Sequence, residues 1–341
     1  MFNFVALLGN TPPLSLLELK SHLGNECVID HHNHLAFLSL DNPDSVSTQL
    51  QQLGGTFKFL EVITPLPVNQ NEAQETVVDY LSSQGNDITF GIINYYQDRL
   101  ILEANDIKKA LRKNGVKVRY LPSDDWGLSS AILSHHQDII DLLIIFYRDE
   151  LFLLRTMATQ TVDEWVVRDR QKPYASGKKG MLPPKVARMM VNIGLGNLPS
   201  SVNLPPVVYD PFCGSGTVLM EAMLRGCRII GSDIDKEAVE GTSKNMRWLQ
   251  NMYKTETNYE IFELDATQLD QRHFAVKPDL IVTEPFLGKP NPKAAELSRI
   301  FQGLEALYMG AFRSWIGILN KGAIIVMVFP LVWANHDKFQ L

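Results

Sequence analysis

An apolar strand, an acidic residue and a glycine turn follow one another in residues 207–217, which read VVYDPFCGSGT. Gly214 and Gly216 have no Cβ and tolerate positive φ angles, so the chain can turn sharply and a ligand can lie directly against the backbone. The residues that follow, 219–223, predict a helix whose free N–H groups point at that ligand. The residue types and their spacing together predict a site for a nucleotide cofactor.

The spacing of the glycines distinguishes between cofactors. A dinucleotide site carries a third glycine three residues after Gly216, but position 219 is leucine. Asp210, at the end of the strand, suits a ligand with a cationic amino group and is a poor neighbour for a pyrophosphate. S-adenosylmethionine (SAM) is therefore favoured over NAD, and Phe212 and Thr217 in the same segment are further candidates for binding it.

Acidic residues also close the next two predicted strands. Asp233 stands 23 residues beyond Asp210, near the offset of about 20 residues at which an acid binds a ribose diol. Asp265 closes the third strand and precedes a small residue, where an adenine amino group can bind. Each Asp could instead cap the turn after it, but three in succession favour a ligand, because ligands of open α/β sheets collect at the carboxyl ends of strands. The added cofactor-binding candidates are Asp233, Ile234, Asp265 and Ala266.

Composition restricts the class of protein. The chain has 341 residues, 45% of them hydrophobic and 21% charged, which predicts two or three ordinary soluble domains with substantial cores. Its three cysteines form no C-x-x-C pair, which argues for a reducing compartment and against a disulfide or zinc framework. No basic leader follows Met1 and no apolar run reaches about 18 residues, so neither a signal peptide nor a membrane span is expected. We therefore expect a cytoplasmic protein.

Basic residues cluster twice, although the formal net charge of the chain is -6. One cluster lies in 168–188 against the single acid Asp169, and the other covers a predicted helix and strand in 108–119. Charge runs are commonly solvated faces, but two basic clusters in an acidic chain favour phosphate contacts. The candidate RNA-binding residues are Lys108, Lys109, Arg112, Lys117, Arg168, Arg170, Lys178, Lys179 and Lys185.

Three histidines, His31, His32 and His34, fall at or near the turn of a hairpin predicted from 27–30 and 35–40. No acidic or cysteine residues recur beside them at metal-ligand spacing, so a polar turn is favoured and no metal is predicted. The other predicted elements are strands over 4–8, 89–95, 116–120, 141–146, 207–210, 228–233, 259–265, 280–282 and 323–329, and helices over 101–114 and 129–135.

Motifs along nearly the whole chain carry a family resemblance: LGN with LSLLEL after it near the start, GVKVRY at 115–120, LSSA at 128–131, and KGMLPPK at 179–185 after an Arg-Asp pair. The chain resembles the THUMP-domain tRNA guanine-N2 methyltransferases of archaea and their eukaryotic relatives. The resemblance implies a Rossmann-like class I SAM-dependent methyltransferase domain of α/β type, preceded by an α+β ferredoxin-like and THUMP module, and it implies tRNA as the partner. In such enzymes the KGMLPPK run packs beside the cofactor, which adds Met181, Leu182 and Pro183 to the cofactor-binding candidates.

The same resemblance divides the chain into four parts. These are a ferredoxin-like domain over 1–86, a THUMP-like RNA-binding domain over 87–156, a linker with the basic cluster over 157–205, and the methyltransferase domain over 206–341. Only 12 residues follow the fifth strand of the last part, too few for the closing hairpin that a SAM-binding sheet usually carries. A truncated sequence, or a second chain covering the edge strand, would account for this.

The predicted catalytic motif departs from the family pattern. After the fourth strand the family carries Asp or Asn, two prolines and an aromatic residue, whereas this chain has Thr283, Glu284, Pro285 and Phe286. The chemistry needs an acceptor that orients the lone pair of an exocyclic amine and an aromatic face that stacks the base. Phe286 still supplies the face. Either Glu284 has taken over the acceptor role, or the substrate has changed, or catalysis is weakened; a plain strand-end turn is the structural alternative.

These observations predict an enzyme that transfers a methyl group from SAM to the N2 amine of a guanosine in tRNA, at the tenth nucleotide in the family. One alternative is amino-methylation of rRNA or DNA, because the family motif also serves adenine and cytosine amines. Another is a catalytically impaired RNA-binding protein of the same fold. The sequence leaves open the modified nucleotide, the number of methyl groups and a small activating protein subunit.

Overall fold

A computed structural model describes residues 2–42, 45–95, 102–123, 126–136, 138–175, 181–334 and 337–341. The chain forms two compact units, which we call the first unit, to Glu164, and the second unit, from Trp165 to Leu341; Ser21–Leu23 group with the second. Within the described ranges, no helix combines the length and the apolar character needed to cross a membrane.

The first unit is built on one eight-stranded sheet in the order β2-β3-β1-β4-β8-β7-β5-β6. Only β5 pairs in parallel with its neighbours, β6 and β7, and all the other pairs are antiparallel. Its elements are β1 Phe4–Leu8, α1 Pro12–Leu23, β2 Val28–His32, β3 Leu35–Leu38, α2 Val46–Gln52, β4 Thr56–Leu66, α3 Gln70–Ser83, β5 Asp87–Asn94, α4 Ala104–Lys113, β6 Lys117–Tyr120, α5 Ser130–His135, β7 Ile139–Tyr147 and β8 Glu150–Thr159.

The sheet runs through both of the N-terminal domains that the sequence predicts. The boundary at 86 and 87 falls between α3 and β5, and a buried ion pair joins the two sides: Lys58 Nζ on β4 lies 2.9 Å from Asp141 Oδ2 on β7. The segments 1–86 and 87–156 therefore share one sheet, and their assignment to ferredoxin-like and THUMP-like domains stays a prediction. His31 and His32 are the last residues of β2 and His34 lies in the turn before β3, which confirms their predicted place at or near the turn.

The second unit is built on a parallel five-stranded sheet in the order β11-β10-β9-β12-β13. The predicted strands of this region are confirmed, although β11 stops at Glu263, two residues before Asp265. The apolar residues of the strands and of the covering helices form its core. Its elements are α6 Val162–Arg170, which begins at the boundary, α7 Pro184–Gly196, β9 Val207–Asp210, α8 Thr217–Leu224, β10 Arg228–Asp233, α9 Lys236–Tyr253, β11 Tyr259–Glu263, β12 Leu280–Thr283, α10 Ala294–Ile318, β13 Ile324–Met327, β14 Leu331–Ala334 and β15 Asp337–Gln340.

The segment 157–205 is not a free linker, which corrects the prediction. It contains α6 and α7, and α7 buries Ala187 and Val191 in the core of the second unit. A Cβ on Gly194 would lie 2.6 Å from Leu280 Cδ1, so the glycine allows α7 to approach β12 closely. The apolar face of α7 makes it part of the methyltransferase fold.

In the described residues, the end of the chain forms a hairpin of its own, which does not extend the five-stranded sheet. Strands β14 and β15 pair antiparallel, with Leu331 opposite Gln340, as a separate two-stranded sheet. Phe339 on β15 contacts Phe301 on α10, with ring centroids 5.8 Å apart. Two four-residue strands are sufficient for a hairpin that packs on a helix. In the described residues, β13 is the last strand of the five-stranded sheet.

Candidate active site

The glycine turn after β9 is held open by its own backbone and by α9. Gly214 and Gly216 have φ angles of 51° and 78°, in the left-handed region that glycine adopts without strain. A Cβ on Gly216 would lie 2.8 Å from Thr242 Cγ2, whereas a Cβ on Gly214 would meet only Phe212 O at 3.9 Å. The turn is therefore packed against α9 on one side and open beside Gly214, as a cradle for a ligand requires.

Two buried polar residues of α9 secure this turn, and sequence reasoning missed both. Thr242 Oγ1 donates to Gly214 O at 2.8 Å, and Asn245 Nδ2 donates to Ser215 O at 2.8 Å. Asn245 Oδ1 also accepts from Tyr174 N. The sequence did carry a signal for them. Thr242 and Asn245 are uncharged polar residues three positions apart on the inner face of an amphipathic helix, where buried polar groups need hydrogen-bond partners.

The three predicted acids lie at one edge of the sheet, and each also shapes its own turn. Asp210 Oδ1 accepts from Phe212 N at 3.1 Å, Asp233 Oδ1 from Asp235 N at 2.9 Å, and Asp265 Oδ1 from Thr267 N at 2.8 Å. Because β9, β10 and β11 are adjacent and parallel, their carboxyl ends share an edge. All three acids therefore cap their own turns, as the alternative interpretation of the sequence expected. Their common position at one edge of the sheet is also the geometry of a ligand site.

Asp233 and Asp265 differ in their remaining contacts. Asp233 Oδ2 accepts from Gly214 N at 2.9 Å, so the acid after β10 is joined directly to the glycine turn. Asp265 Oδ2 accepts from Gln268 Nε2 at 3.1 Å. Among their neighbours, Ile234 is 71% exposed and Ala266 is buried. The structure thus brings Asp233 to the glycines and leaves an apolar surface beside it.

Thr283, at the end of β12, turns towards Asp210 instead of towards a substrate. Its Oγ1 donates to Asp210 Oδ1 at 2.6 Å, and the side chain is fully buried. Burial raises the pKa of Asp210 to about 7, and the nearby charges of Asp233 and Glu284 add to the effect, while the Thr283 bond opposes it. The structure therefore places the Thr283 hydroxyl against Asp210, and its predicted place in the catalytic motif stays a prediction.

Glu284 and Phe286 are the residues of this motif that remain accessible. Glu284 is half-buried, and burial raises the pKa of its carboxyl group. Pro285 is buried, which fixes the turn, and the Phe286 side chain is 60% exposed. Tyr308 Oη on α10 donates to Phe286 O at 2.7 Å. The motif thus presents one carboxylate and one aromatic ring on an anchored loop.

Arg168 has a structural role, which corrects its predicted contact with RNA. Its side chain is 3% exposed, and Nε lies 2.8 Å from Glu221 Oε1 on α8. Arg188 Nη2 lies 2.6 Å from the other oxygen of Glu221. The Trp165 ring, 4.2 Å from the Arg168 guanidinium carbon, covers the group. The sequence signal for this arrangement was Glu221, the acidic residue in the otherwise apolar helix α8, because a buried acid needs basic partners.

Lys172 from the same basic cluster lies beside the glycine turn. Its side chain is buried, and Nζ donates to Thr217 Oγ1, in the first residue of α8, at 3.0 Å. Burial lowers the pKa of Lys172, while Asp169 and Glu221 oppose that shift. The sequence placed this residue only in a charge cluster, and the structure places it against the first residue of α8, directly after the glycine turn.

Ion pairs offset the charge of some of the other basic candidates. On the first unit, Lys109 Nζ lies 2.8 Å from Asp106 and Lys117 Nζ lies 2.6 Å from Asp87, whereas Arg112 is exposed and Lys108 is half-buried. On the second unit, Arg170 is exposed and the half-buried Lys185 has Nζ 5.6 Å from the Trp165 ring centroid. Lys178 and Lys179 lie outside the described residues.

The KGMLPPK run enters α7. Met181 is 38% exposed, Leu182 packs against the core of the second unit, and Pro183 is the residue before the first turn of α7. Their role in binding the cofactor stays a prediction. In the described part of the chain, no group of three or more His, Cys, Asp or Glu side chains is placed to hold a metal ion.

The parallel sheet, the glycine turn and the acidic edge define a Rossmann-like methyltransferase. A sequence model described as an RMKL-like methyltransferase domain matches residues 175–329, and one described as DNA methylase matches 47–245. Among solved structures, TrmN from Thermus thermophilus shares the fold, with a TM-score of 0.52 and 13% identity over 99% of this chain and 97% of that chain. SMU.472 complexed with SAH has a TM-score of 0.51 and 13% identity over 96% and 89%.

Two curated relatives name the family more closely. The tRNA (guanine(10)-N2)-dimethyltransferase of Methanothermobacter thermautotrophicus is 33% identical over 187 residues, which are 54% of this chain and 49% of that protein. The "Probable tRNA (guanine(10)-N2)-dimethyltransferase" of Methanothermococcus thermolithotrophicus is 33% identical over 35% of this chain and 70% of that protein. The chain belongs to the methyltransferase family that these relatives share, although it spans about half the length of the first of them.

The cofactor of the chain is SAM, and the residues present fit it. The open cradle at Gly214 admits a ligand against the backbone, and Asp233 offers its carboxylate beside that cradle. Asp210, with its raised pKa, is a buried acid that a cationic ligand group would stabilise in the ionised form. This donor set suits a nucleoside with an amino group and a sulfonium.

Proposed function

We propose that the chain is a SAM-dependent RNA methyltransferase that acts on the exocyclic N2 amine of a guanosine in tRNA. The relatives named as tRNA (guanine(10)-N2)-dimethyltransferases support the substrate. The observation that carries the activity is the pairing of a half-buried carboxylate, Glu284, with an exposed ring, Phe286, two residues apart beside the acidic edge.

Glu284 takes the role of amine acceptor in this proposal. A Glu284 carboxylate oxygen accepts a hydrogen bond from the amine and so directs the nitrogen lone pair away from itself. Its raised pKa makes Glu284 a stronger base than an exposed carboxylate, suited to receive the proton that the amine releases. SAM, when bound, supplies the electrophilic methyl group. Phe286 stacks the splayed base and holds its plane.

The buried hydrogen bond between Thr283 and Asp210 supports this division of roles. With its hydroxyl engaged, Thr283 stabilises the acid that faces the cofactor. The next residue, Glu284, then stands where the chain leaves β12. Asp210 and Glu284 thus lie at the carboxyl ends of two adjacent parallel strands, β9 and β12, where an acid for the cofactor and an acid for the substrate would be close together.

The decisive experiment incubates the protein with SAM and unmodified tRNA transcripts and analyses the nucleosides by mass spectrometry. N2-methylguanosine is expected with the wild type. Glu284→Ala should lower kcat by about 100-fold or more with unchanged SAM affinity, and Glu284→Gln, which keeps an acceptor oxygen, should retain part of it. Glu305→Ala, at an exposed position of α10, is the matched control. No methylated nucleoside, with SAM binding confirmed by calorimetry, would contradict the proposal and favour the RNA-binding alternative.

A second candidate is methylation of an amine in DNA. The sequence model described as DNA methylase, which matches residues 47–245, favours it. The same incubation with duplex and single-stranded DNA separates the candidates, because methyladenine or methylcytosine would form there and methylguanosine would not. We further propose that the first unit, with its THUMP-like segment 87–156, binds the tRNA acceptor end, and that Arg112 and Arg170 contact phosphates.

A further inference from the structure

A cleft of about 680 Å³ lies between the loop after β12 and the first half of α10. Phe286, Gly288 and Lys289 line it from the loop, and Arg299, Gly303 and Leu304 line it from the helix. The cleft therefore begins at the aromatic ring of the proposed active site and extends away from the acidic edge. None of the residues assigned to the cofactor lines it.

Two glycines give the cleft its shape. Gly288 has a φ of 98°, and a Cβ there would lie 3.0 Å from Ile300 Cγ2, so the loop approaches α10 as closely as a residue without a side chain permits. Apart from the backbone of its own helix, no atom of the described residues lies within 4 Å of the position of a Cβ on Gly303, so a strip of helix backbone is left open. An apolar floor beside an open backbone strip suits a flat ring.

The rim carries net positive charge. Lys289 Nζ lies 3.1 Å from Glu296 Oε1 and forms an ion pair, whereas Arg299 is exposed and has no ion pair with any residue that the structure describes. The first turn of α10 also borders the cleft, and the start of a 25-residue helix carries partial positive charge. Cationic charge above an apolar floor complements a nucleotide, which joins a phosphate to a planar base. An apolar peptide segment would leave the cationic charge without a partner.

We infer that this cleft binds the nucleotide next to the methylated one in the substrate strand, with its base on the apolar floor and its phosphate on Arg299. The inference rests on the proposed function, because it continues the strand from the base stacked on Phe286. Splaying the target base out of its stack exposes the faces of the flanking base, and the apolar floor compensates part of the stacking that is lost.

The test uses three variants of the full chain. Gly303→Leu fills the open strip, Arg299→Ala removes the free cation, and Arg313→Ala removes an exposed arginine of the same helix that does not line the cleft. Affinity for an unmodified tRNA transcript and for a short single-stranded DNA oligonucleotide is measured by fluorescence anisotropy between about 50 and 200 mM salt. SAM affinity, measured by calorimetry, reports whether the second unit is intact.

We expect Gly303→Leu to weaken tRNA binding by about 10-fold without changing the salt slope, as the loss of one stacked base would. Arg299→Ala should lower the slope of log K against log salt by about 1, and Arg313→Ala should resemble the wild type. If the wild type methylates tRNA but both cleft variants bind like Arg313→Ala, the cleft inference is overturned and the proposed function stands. If only DNA binding responds to the cleft variants, the cleft stands and the tRNA substrate is rejected. If neither nucleic acid responds, the cleft inference fails.

Discussion

The hydroxyl of Thr283 donates a 2.6 Å hydrogen bond to Oδ1 of Asp210, and both side chains are buried. The two residues end neighbouring parallel strands, β12 and β9. The first residue of the predicted catalytic motif therefore contacts the acid that ends β9, just before the glycine turn. This link explains how the motif can lose the usual carboxylate or amide at that position and keep a role for it.

Thr283→Val removes the donor with little change of volume and leaves a buried carboxylate oxygen without this partner. Because the bond lowers the pKa of Asp210, its loss should raise that pKa further above about 7. We expect SAM affinity at neutral pH to fall by about 1.5 to 3 kcal/mol, the range for a hydrogen bond to a charged group. Calorimetry at neutral and alkaline pH checks this: affinity should recover at alkaline pH, and Thr283→Ser should behave like the wild type throughout.

The stability of the cofactor-free protein should depend on pH through Asp210. The folded pKa of about 7 lies above the ordinary value of 3.8, so between these values the folded protein holds more protons than the unfolded chain. The contribution of Asp210 to stability is therefore highest below the lower value, falls as the pH rises towards about 7, and levels off above it. Urea unfolding of the wild type and of Asp210→Asn on both sides of that window measures the difference. An equal pH slope in the two proteins would contradict the raised pKa.

Asp233→Ala should weaken SAM binding by about 1 to 3 kcal/mol through loss of a charge-assisted hydrogen bond to the ribose. The substitution also frees Gly214 N, which donates to Asp233, so thermal melting must accompany the calorimetry. Asp235→Ala is the matched control, because Asp235 caps α9 through Glu237 N and has no assigned role towards the cofactor. Unchanged affinity in Asp233→Ala would remove the ribose assignment.

Glu221→Gln should destabilise the second unit by about 3 to 5 kcal/mol. The substitution leaves Arg168 and Arg188 buried without the carboxylate that both of them contact. Urea unfolding gives the free energy of unfolding, and Glu305→Gln, at an exposed position of α10, serves as the control. A loss no larger than that of the control would show that the arginines find other partners.

Arg112 and Lys109 should contribute differently to RNA binding, although they belong to one cluster. Arg112 is exposed, whereas Lys109 is paired with Asp106 at 2.8 Å. Arg112→Ala should lower the salt slope of tRNA binding by about 1, and Lys109→Ala should lower it less because Asp106 already offsets its charge. Salt titrations of tRNA affinity compare the two variants. Equal slopes in both variants and the wild type would make this cluster a solvated face.

Local features of the sequence were sufficient for the five parallel strands of the second unit and for the turn before α8. Apolar runs predicted each strand of its sheet, and the glycine pair predicted the turn before α8, because strand period and backbone freedom depend on neighbouring residues. The same reasoning failed for 157–205, where proline, glycine and charge suggested a linker. In that segment the apolar face of α7 decides the structure, because the burial of Ala187 and Val191 in the core outweighs the local preference for a loop.

Residue types and order alone therefore determined the cofactor class, the acidic strand ends and the aromatic position of the predicted catalytic motif. The tertiary structure decided the partners: Thr283 with Asp210, Lys172 with Thr217, and Arg168 with Glu221 are separated by 73, 45 and 53 residues. Such pairs depend on which strands are adjacent, as β12 and β9 are. They also depend on which basic side chains are buried. Charge and spacing along the chain do not contain that information, because burial is a property of the packed fold.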